Sequence, residues 1–211
     1  MKYVGALLLA CALSASAAIV VSEGNDGSLP DSNVLFNGTG TSTTDPVVGR
    51  LNNEPFLVGF ISSDTLTAVA QGQSRVEAVD GSFFDLSFFA MDGFAFSTAI
   101  FNLNVLNQQG PPQDGQVSFT FITESAVVDG GTFDLDGNGV NRFNVQANAG
   151  ENILAVQFIA TTPIADLRQL RLGVITDENP GGDPVVPEPL SMGLLGSGLG
   201  VLGLIRKYRK S

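Results

Sequence analysis

The chain has 211 residues, with one cysteine, two tyrosines, no tryptophan and no histidine, and 21 acidic residues against ten basic ones. Without histidine, and with Cys11 as its only thiol, it lacks the side chains for a Ser-His-Asp or Cys-His nucleophile and the usual nitrogen and sulfur ligands of zinc. All 21 acids but only five cations (Arg50, Arg75, Arg142, Arg168 and Arg171) fall between Glu23 and Glu188, a net −16 that disfavours nucleic acid and anionic lipid headgroups as partners.

The first residues, "MKYVGALLLACALSASA", place one cation (Lys2) before an apolar run from Val4 to Leu13 and the small-residue site Ala15-Ser16-Ala17. This is the order of a secretory signal peptide, residues 1–17, with cleavage before Ala18. A buried N-terminal helix and a lipoprotein signal ending at Cys11 are the alternatives. Cleavage after Ala17 removes the only cysteine, so the mature chain has no disulfide to lean on. About 150 remaining residues are enough to build one hydrophobic core.

From residue 18 to 176 the pattern is β throughout. Runs rich in Val, Ile, Phe and Thr are bounded by Gly, Asn, Asp and Pro. In chain order the expected strands are Phe56–Ser62, Thr65–Gln71, Ser74–Asp80, Phe83–Met91, Ala95–Leu106, Gln116–Thr123, Arg142–Asn148, Ile153–Thr161 and Leu167–Ile175. Several alternate. In "QVSFTFIT", Val117, Phe119 and Phe121 share one face while Ser118, Thr120 and Ile122 share the other. In "SRVEAVD", Arg75 and Glu77 alternate with Val76 and Ala78. All fifteen phenylalanines lie between Phe36 and Phe158 and form the natural core. Short strands at spacings of about 8–12 residues predict an all-β domain, an antiparallel two-sheet, jelly-roll-like sandwich, with a closed barrel as the alternative.

Between these strands, "DLDGNGVN" sets Asp134, Asp136 and Asn138 at alternate positions with Gly139 sixth, the opening of a calcium loop. The ninth and twelfth positions are Arg142 and Val145, so the closing carboxylate is missing unless a distant one such as Asp129 or Glu151 supplies it. The same letters also read as a hairpin turn, since Asp-Gly and Asn-Gly favour that geometry. Calcium is the only cofactor the sequence suggests, and weakly.

Residues 177–189 are a Pro/Gly/acidic linker that ends in Pro187-Glu188-Pro189. Leu190 to Ile205 are 16 residues without charge, followed by "RKYRK" with Arg206, Lys207, Arg209 and Lys210. As a helix, the uncharged run reaches roughly 24 Å, short of the ~30 Å hydrocarbon core, and the basic end would stay cytoplasmic. Glycines at 193, 196, 198, 200 and 203 weaken it further. A permanent single-span anchor would be marginal.

The tail, Pro-Glu-Pro followed by a short glycine-rich apolar helix and an arginine-rich end, resembles the PEP-CTERM sorting signal of Gram-negative bacteria. The resemblance covers about 25 residues, 187–211. It implies recognition by a membrane-embedded exosortase, cleavage near Pro187-Glu188-Pro189, transient anchoring in the inner membrane by helix 190–211, and release to the cell surface or extracellular matrix. The run from Ser62 to Val174 is also similar to the body of a recurring group of exported PEP-CTERM proteins, which implies no assigned activity.

Function is therefore expected to be that of an exported, non-enzymatic envelope or matrix protein, with extracellular polysaccharide a candidate partner. A carbohydrate- or calcium-binding surface module is the alternative. The absence of tryptophan, with Tyr3 and Tyr208 in the two processing segments, weakens ring-stacking on sugars. Paired carboxylates drawn from Asp64, Glu77, Asp85 and Glu124 would be needed for a glycoside hydrolase, the third reading.

Overall fold

The computed structural model describes residues 19–24, 30, 32–36, 45–69, 74–91, 93–106, 113–148 and 150–175. They belong to the first of two units, Met1–Thr176 and Asp177–Ser211. The signal peptide with Ala15, Ala17 and Ala18, the linker, the Pro187-Glu188-Pro189 motif, the expected C-terminal helix and the basic residues Arg206, Lys207, Arg209 and Lys210 lie outside the described residues. Among those described there is no helix, and so none long and apolar enough to cross a membrane.

Among the described residues the domain is all-β, with twelve strands: β1 (Ile19–Glu23), β2 (Ser32–Leu35), β3 (Val47–Leu51), β4 (Leu57–Ile61), β5 (Leu66–Ala68), β6 (Arg75–Ala78), β7 (Phe83–Ala90), β8 (Ala95–Val105), β9 (Gly115–Thr123), β10 (Val127–Leu135), β11 (Val140–Ala147) and β12 (Ile153–Ile175). Each of the nine expected strands is present. The last two are fused into β12, while β1, β2, β3 and β10 are additional.

β12 organises the rest. Its 23 residues would extend about 75 Å if straight, far more than a domain of this size can span. It therefore bends, and the sequence says where. Pro163 has no N–H to give a ladder, and the register changes between Ile159 and Ile164 against β7 and between Ile153 and Ile164 against β8. Before the bend β12 runs between β7 and β9; after it, β8 lies on one side and β6 and β2 on the other. The path from late β12 through β2, β3, β4 and β7 returns to early β12. The antiparallel sheet is thus barrel-like, and one strand links what the sequence presents as two separate sheets.

The inward faces of the two halves meet over phenylalanine rings. Nine are fully buried (Phe60, Phe83, Phe88, Phe96, Phe101, Phe119, Phe121, Phe143 and Phe158). Phe119 of β9 lies 4.9 Å from Phe143 of β11, and Phe88 of β7 lies 5.4 Å from Phe101 of β8. Each fully buried ring contributes about 1.5–3 kcal/mol of transfer free energy, which lets a domain without disulfides hold.

Candidate functional site

The turn at Asp136–Gly139 is closed by its own hydrogen bonds. The Asn138 N–H donates to the Asp136 carboxylate at 2.8 Å, and the Gly139 N–H to the Asp136 carbonyl at 3.3 Å. Asn141 accepts from the Asp136 N–H at 2.8 Å and donates to its carbonyl at 3.1 Å. Asp134 sits one step earlier on β10, where its carboxylate accepts from Gln116 at 3.0 Å. Asp114, on the facing loop, accepts from the Gly137 N–H at 3.0 Å, and a Cβ at Gly137 would stand 2.6 Å from the Gln113 carbonyl oxygen. Asp129 accepts from the Gly131 N–H, and Glu151 is held by Ser125 at the opposite end of the β9–β10 hairpin, so neither closes the loop. Among the described residues no three Asp, Glu, His or Cys side chains are placed to hold a metal.

The Asx-turn geometry carries a prediction. Asp136→Ala should lower stability by about 1 kcal/mol, the worth of one hydrogen bond at a turn, and equally in calcium or chelator. A calcium-dependent rise in melting temperature that disappears in the variant would instead mark a cation site.

Of the four carboxylates considered for hydrolysis, Asp64 and Asp85 share one set of hydrogen bonds through Ser62 and Ser63, while Glu124 and Glu77 stand in others. Asp85 accepts from the Ser63 N–H at 2.9 Å and from its hydroxyl. The N–H of Asp64, beside it, donates to Ser62 Oγ at 3.1 Å. Glu124 accepts from Asn152 at 2.9 Å, and Glu77 pairs with Arg75 on another part of the sheet.

The most distinctive polar surface was not evident from sequence. On the outward side of β11, β8, late β12, β6 and β5, side chains fall into cross-strand rows. One row runs Arg142, Asn102, Arg168, Arg75; the next runs Val140, Asn104, Asp166, Glu77, Thr67; a third contains Asn144, Ile100 and Arg171. Four of the five arginines between Glu23 and Glu188 thus meet on one face, whose five strands carry only two carboxylates.

Asp166 anchors this face. It is 1% exposed, accepts from Arg168 Nε and a second guanidinium nitrogen, both at 2.6 Å, and from Asn104 at 2.6 Å. Arg75 Nε stands 3.6 Å away and its guanidinium also pairs with Glu77. Beside it β12 bulges: Gln169 adopts φ 57°, its N–H reaches the Ser74 carbonyl at 3.0 Å, and its side chain accepts from Asn102 at 2.7 Å. Asn102 Oδ1 and Thr67 Oγ1 are buried without a hydrogen-bond partner.

The opposite outward face, on β10, β9, early β12, β7, β4 and β3, has another character. A single row crosses all six strands: Val127, Ile122, Ala155, Phe89, Gly59, Val48. Val127 is 70% and Ile122 42% exposed, and Ile159 nearby is 60% exposed. Asp85, Asp129 and Asp134 are the charges on the first five of these strands, which contain no cation; Arg50 lies at the margin on β3.

A shallow groove of about 300 Å³ lies where Glu23, Gly24, Asp134, Asn141 and Arg142 meet, at the β1 end of the arginine face. Compared with protein-family models, curated proteins and solved structures, the chain gives no match.

Proposed function

We propose that the chain is an exported, non-enzymatic protein of the cell envelope or extracellular matrix, delivered by its signal peptide and sorted by its PEP-CTERM tail. The observation that carries this reading is the order Pro187-Glu188-Pro189, 16 uncharged residues, then four cations in five positions, together with an N-terminal signal sequence. In this reading exosortase cuts near the Pro-Glu-Pro motif, and the apolar run holds the substrate in the inner membrane only until then. The all-β domain has a phenylalanine core large enough to hold it together without disulfides, which an exported chain that has lost Cys11 requires. We read its barrel-like sheet as a flattened, jelly-roll-like sandwich in which β12 serves both layers.

The test is intact mass and location of the protein in its producing cells, against a Pro187/Glu188/Pro189→Ala variant. Trimmed wild type, starting near Ala18 and ending near residues 187–189 outside the cell, with an untrimmed, membrane-bound variant, is the expected result. Wild type that keeps its tail through Ser211 in the membrane fraction would make the tail an anchor.

A second reading, a carbohydrate-binding module, draws on the arginine-bearing outward face, whose guanidinium groups suit sugar hydroxyls and carboxylates. A glycan array decides it.

A further inference from the structure

We infer that the domain associates with copies of itself head to tail, the arginine face of one copy seated on the acidic and apolar face of the next. The inference rests on the reading of the chain as a structural component, and it names the partner of that component as a second copy.

The middles of the two faces point away from each other, because the rings between them (Phe119 on Phe143, Phe88 on Phe101) join the inward sides of the same strands, while their margins meet at the groove where Glu23 and Asp134 stand beside Arg142. On the arginine face, Arg75, Arg142, Arg168 and Arg171 outnumber Asp166 and Glu77. On the opposite face, Asp85 and Asp129 flank the apolar row, and Asp134 stands at the margin beside the groove it shares with Arg142. Either face set against its own copy brings like charges together, which disfavours a two-fold dimer. Set against each other, the faces are complementary in charge.

The apolar row decides between occupants. It crosses six strands, about 24 Å at the usual strand spacing, and with strands about 25 Å long the face offers roughly 600 Å². That approaches the ~800 Å² per partner of a standard interface, so reversible association is the expected strength. An acidic polysaccharide would satisfy the arginines and leave Val127, Ile122, Phe89 and Ile159 in water. A second copy covers both faces with one contact. Because the contact joins two different faces on opposite sides, it does not close on itself, and the product is an open chain.

Two double variants separate the faces. Arg142→Glu/Arg171→Glu disables the arginine face without touching the Asp166 cluster. Ile122→Lys/Val127→Lys disables the other through two exposed positions. Sedimentation velocity would be run on protein recovered from the producing cells, across a concentration series, at low and at high salt. Wild type should show a concentration-dependent ladder of species that high salt shortens. Each variant alone, melting like wild type, should associate at least tenfold more weakly. Mixed one to one, the variants should form a dimer and nothing longer, since each retains the face the other has lost.

A wild type that stays monomeric at all concentrations overturns the inference. So does a dimer that never grows, a variant that keeps the ladder, or an arginine face that responds only to polyuronate. If a double variant melts early, Arg142→Gln/Arg171→Gln and Ile122→Ser/Val127→Ser take its place. Tail trimming is read separately by mass. A trimmed monomer sinks the stacking alone, and an untrimmed chain that stacks sinks the sorting alone.

Discussion

Phe119→Ala should destabilise the domain by about 4 kcal/mol, the largest effect expected of any single truncation in it. Phe119 is 1% exposed and lies within ring-packing distance of five other phenylalanines: Phe143 at 4.9 Å, Phe101 and Phe133 at 5.8 Å, Phe158 at 6.1 Å and Phe121 at 6.4 Å. It touches rings from β9's neighbours β10 and β12 and, across the interior, from β8 and β11. Removing it leaves a cavity that four strands would have to move to fill, and hydrogen bonding along their ladders resists that movement. A domain of this size has only about 5–15 kcal/mol in hand, and its melting temperature should fall by about 8–16 °C. Phe119→Leu, which keeps most of the volume, should cost less than half as much. Phe84→Ala is the control, since Phe84 is 48% exposed and should stay within about 1 kcal/mol of wild type. Equal losses at Phe119 and Phe84, followed by chemical denaturation, would show that the ring cluster is not the core.

That core was legible because alternation needs no tertiary information. The inward set Val117, Phe119, Phe121 and the outward set Ser118, Thr120, Ile122 lie as their parity requires, with the first set buried and Ile122 exposed. What escaped were strands whose composition looks like something else. β10 reads "VVDGGTFDL", and two glycines with two aspartates signal a turn. Yet it pairs with β9 along its length, with a bulge between Asp129 and Gly131. Gly130 is required there, because a Cβ would stand 2.2 Å from the Phe121 ring. The glycine makes room for the rings that hold the strand. β1 and β2, at five and four residues, are too short for a period to declare itself.

The arginine face escaped for a different reason. Parity in "SRVEAVD" already turns Arg75 outward, but which strands lie side by side is set by the bend in β12. Arg75, Arg142 and Arg168 belong to three strands that do not pair with one another in sequence order, and they become neighbours only through the pairings of β12 with β6 and β8 and of β8 with β11. A sequence read strand by strand sees five scattered cations in an acidic chain and concludes, correctly for the average, that the surface is negative. The local exception needs the topology. The turn at Asp136 was legible as a turn because the bonds that close it, between Asp136 and Asn138, Gly139 and Asn141, are local; the same letters read as a cation loop because the two motifs share their opening residues.

Within that face, Arg168→Ala should cost more than Asp166→Asn, by about 3 kcal/mol against about 1. The asymmetry follows from where each charge lives. Asp166 is 1% exposed, whereas the side chains of Arg168 and Arg75 are 45% and 42% exposed. Take away the Arg168 guanidinium and a buried carboxylate loses its two-pronged partner, keeping Asn104 at 2.6 Å and Arg75 at 3.6 Å. Take away the Asp166 charge and two guanidinia remain that water already reaches. Arg168→Lys should recover only part of the loss, since an ammonium cannot make two parallel bonds to one carboxylate. The comparison is made by urea titration of the three variants, and their order is the result that counts. If Asp166→Asn is the costlier change, the carboxylate is holding the arginines in place, rather than the reverse. The row Arg142, Asn102, Arg168, Arg75 would then owe its geometry to Asp166, and the Asp166→Asn variant should lose head-to-tail association as well as stability.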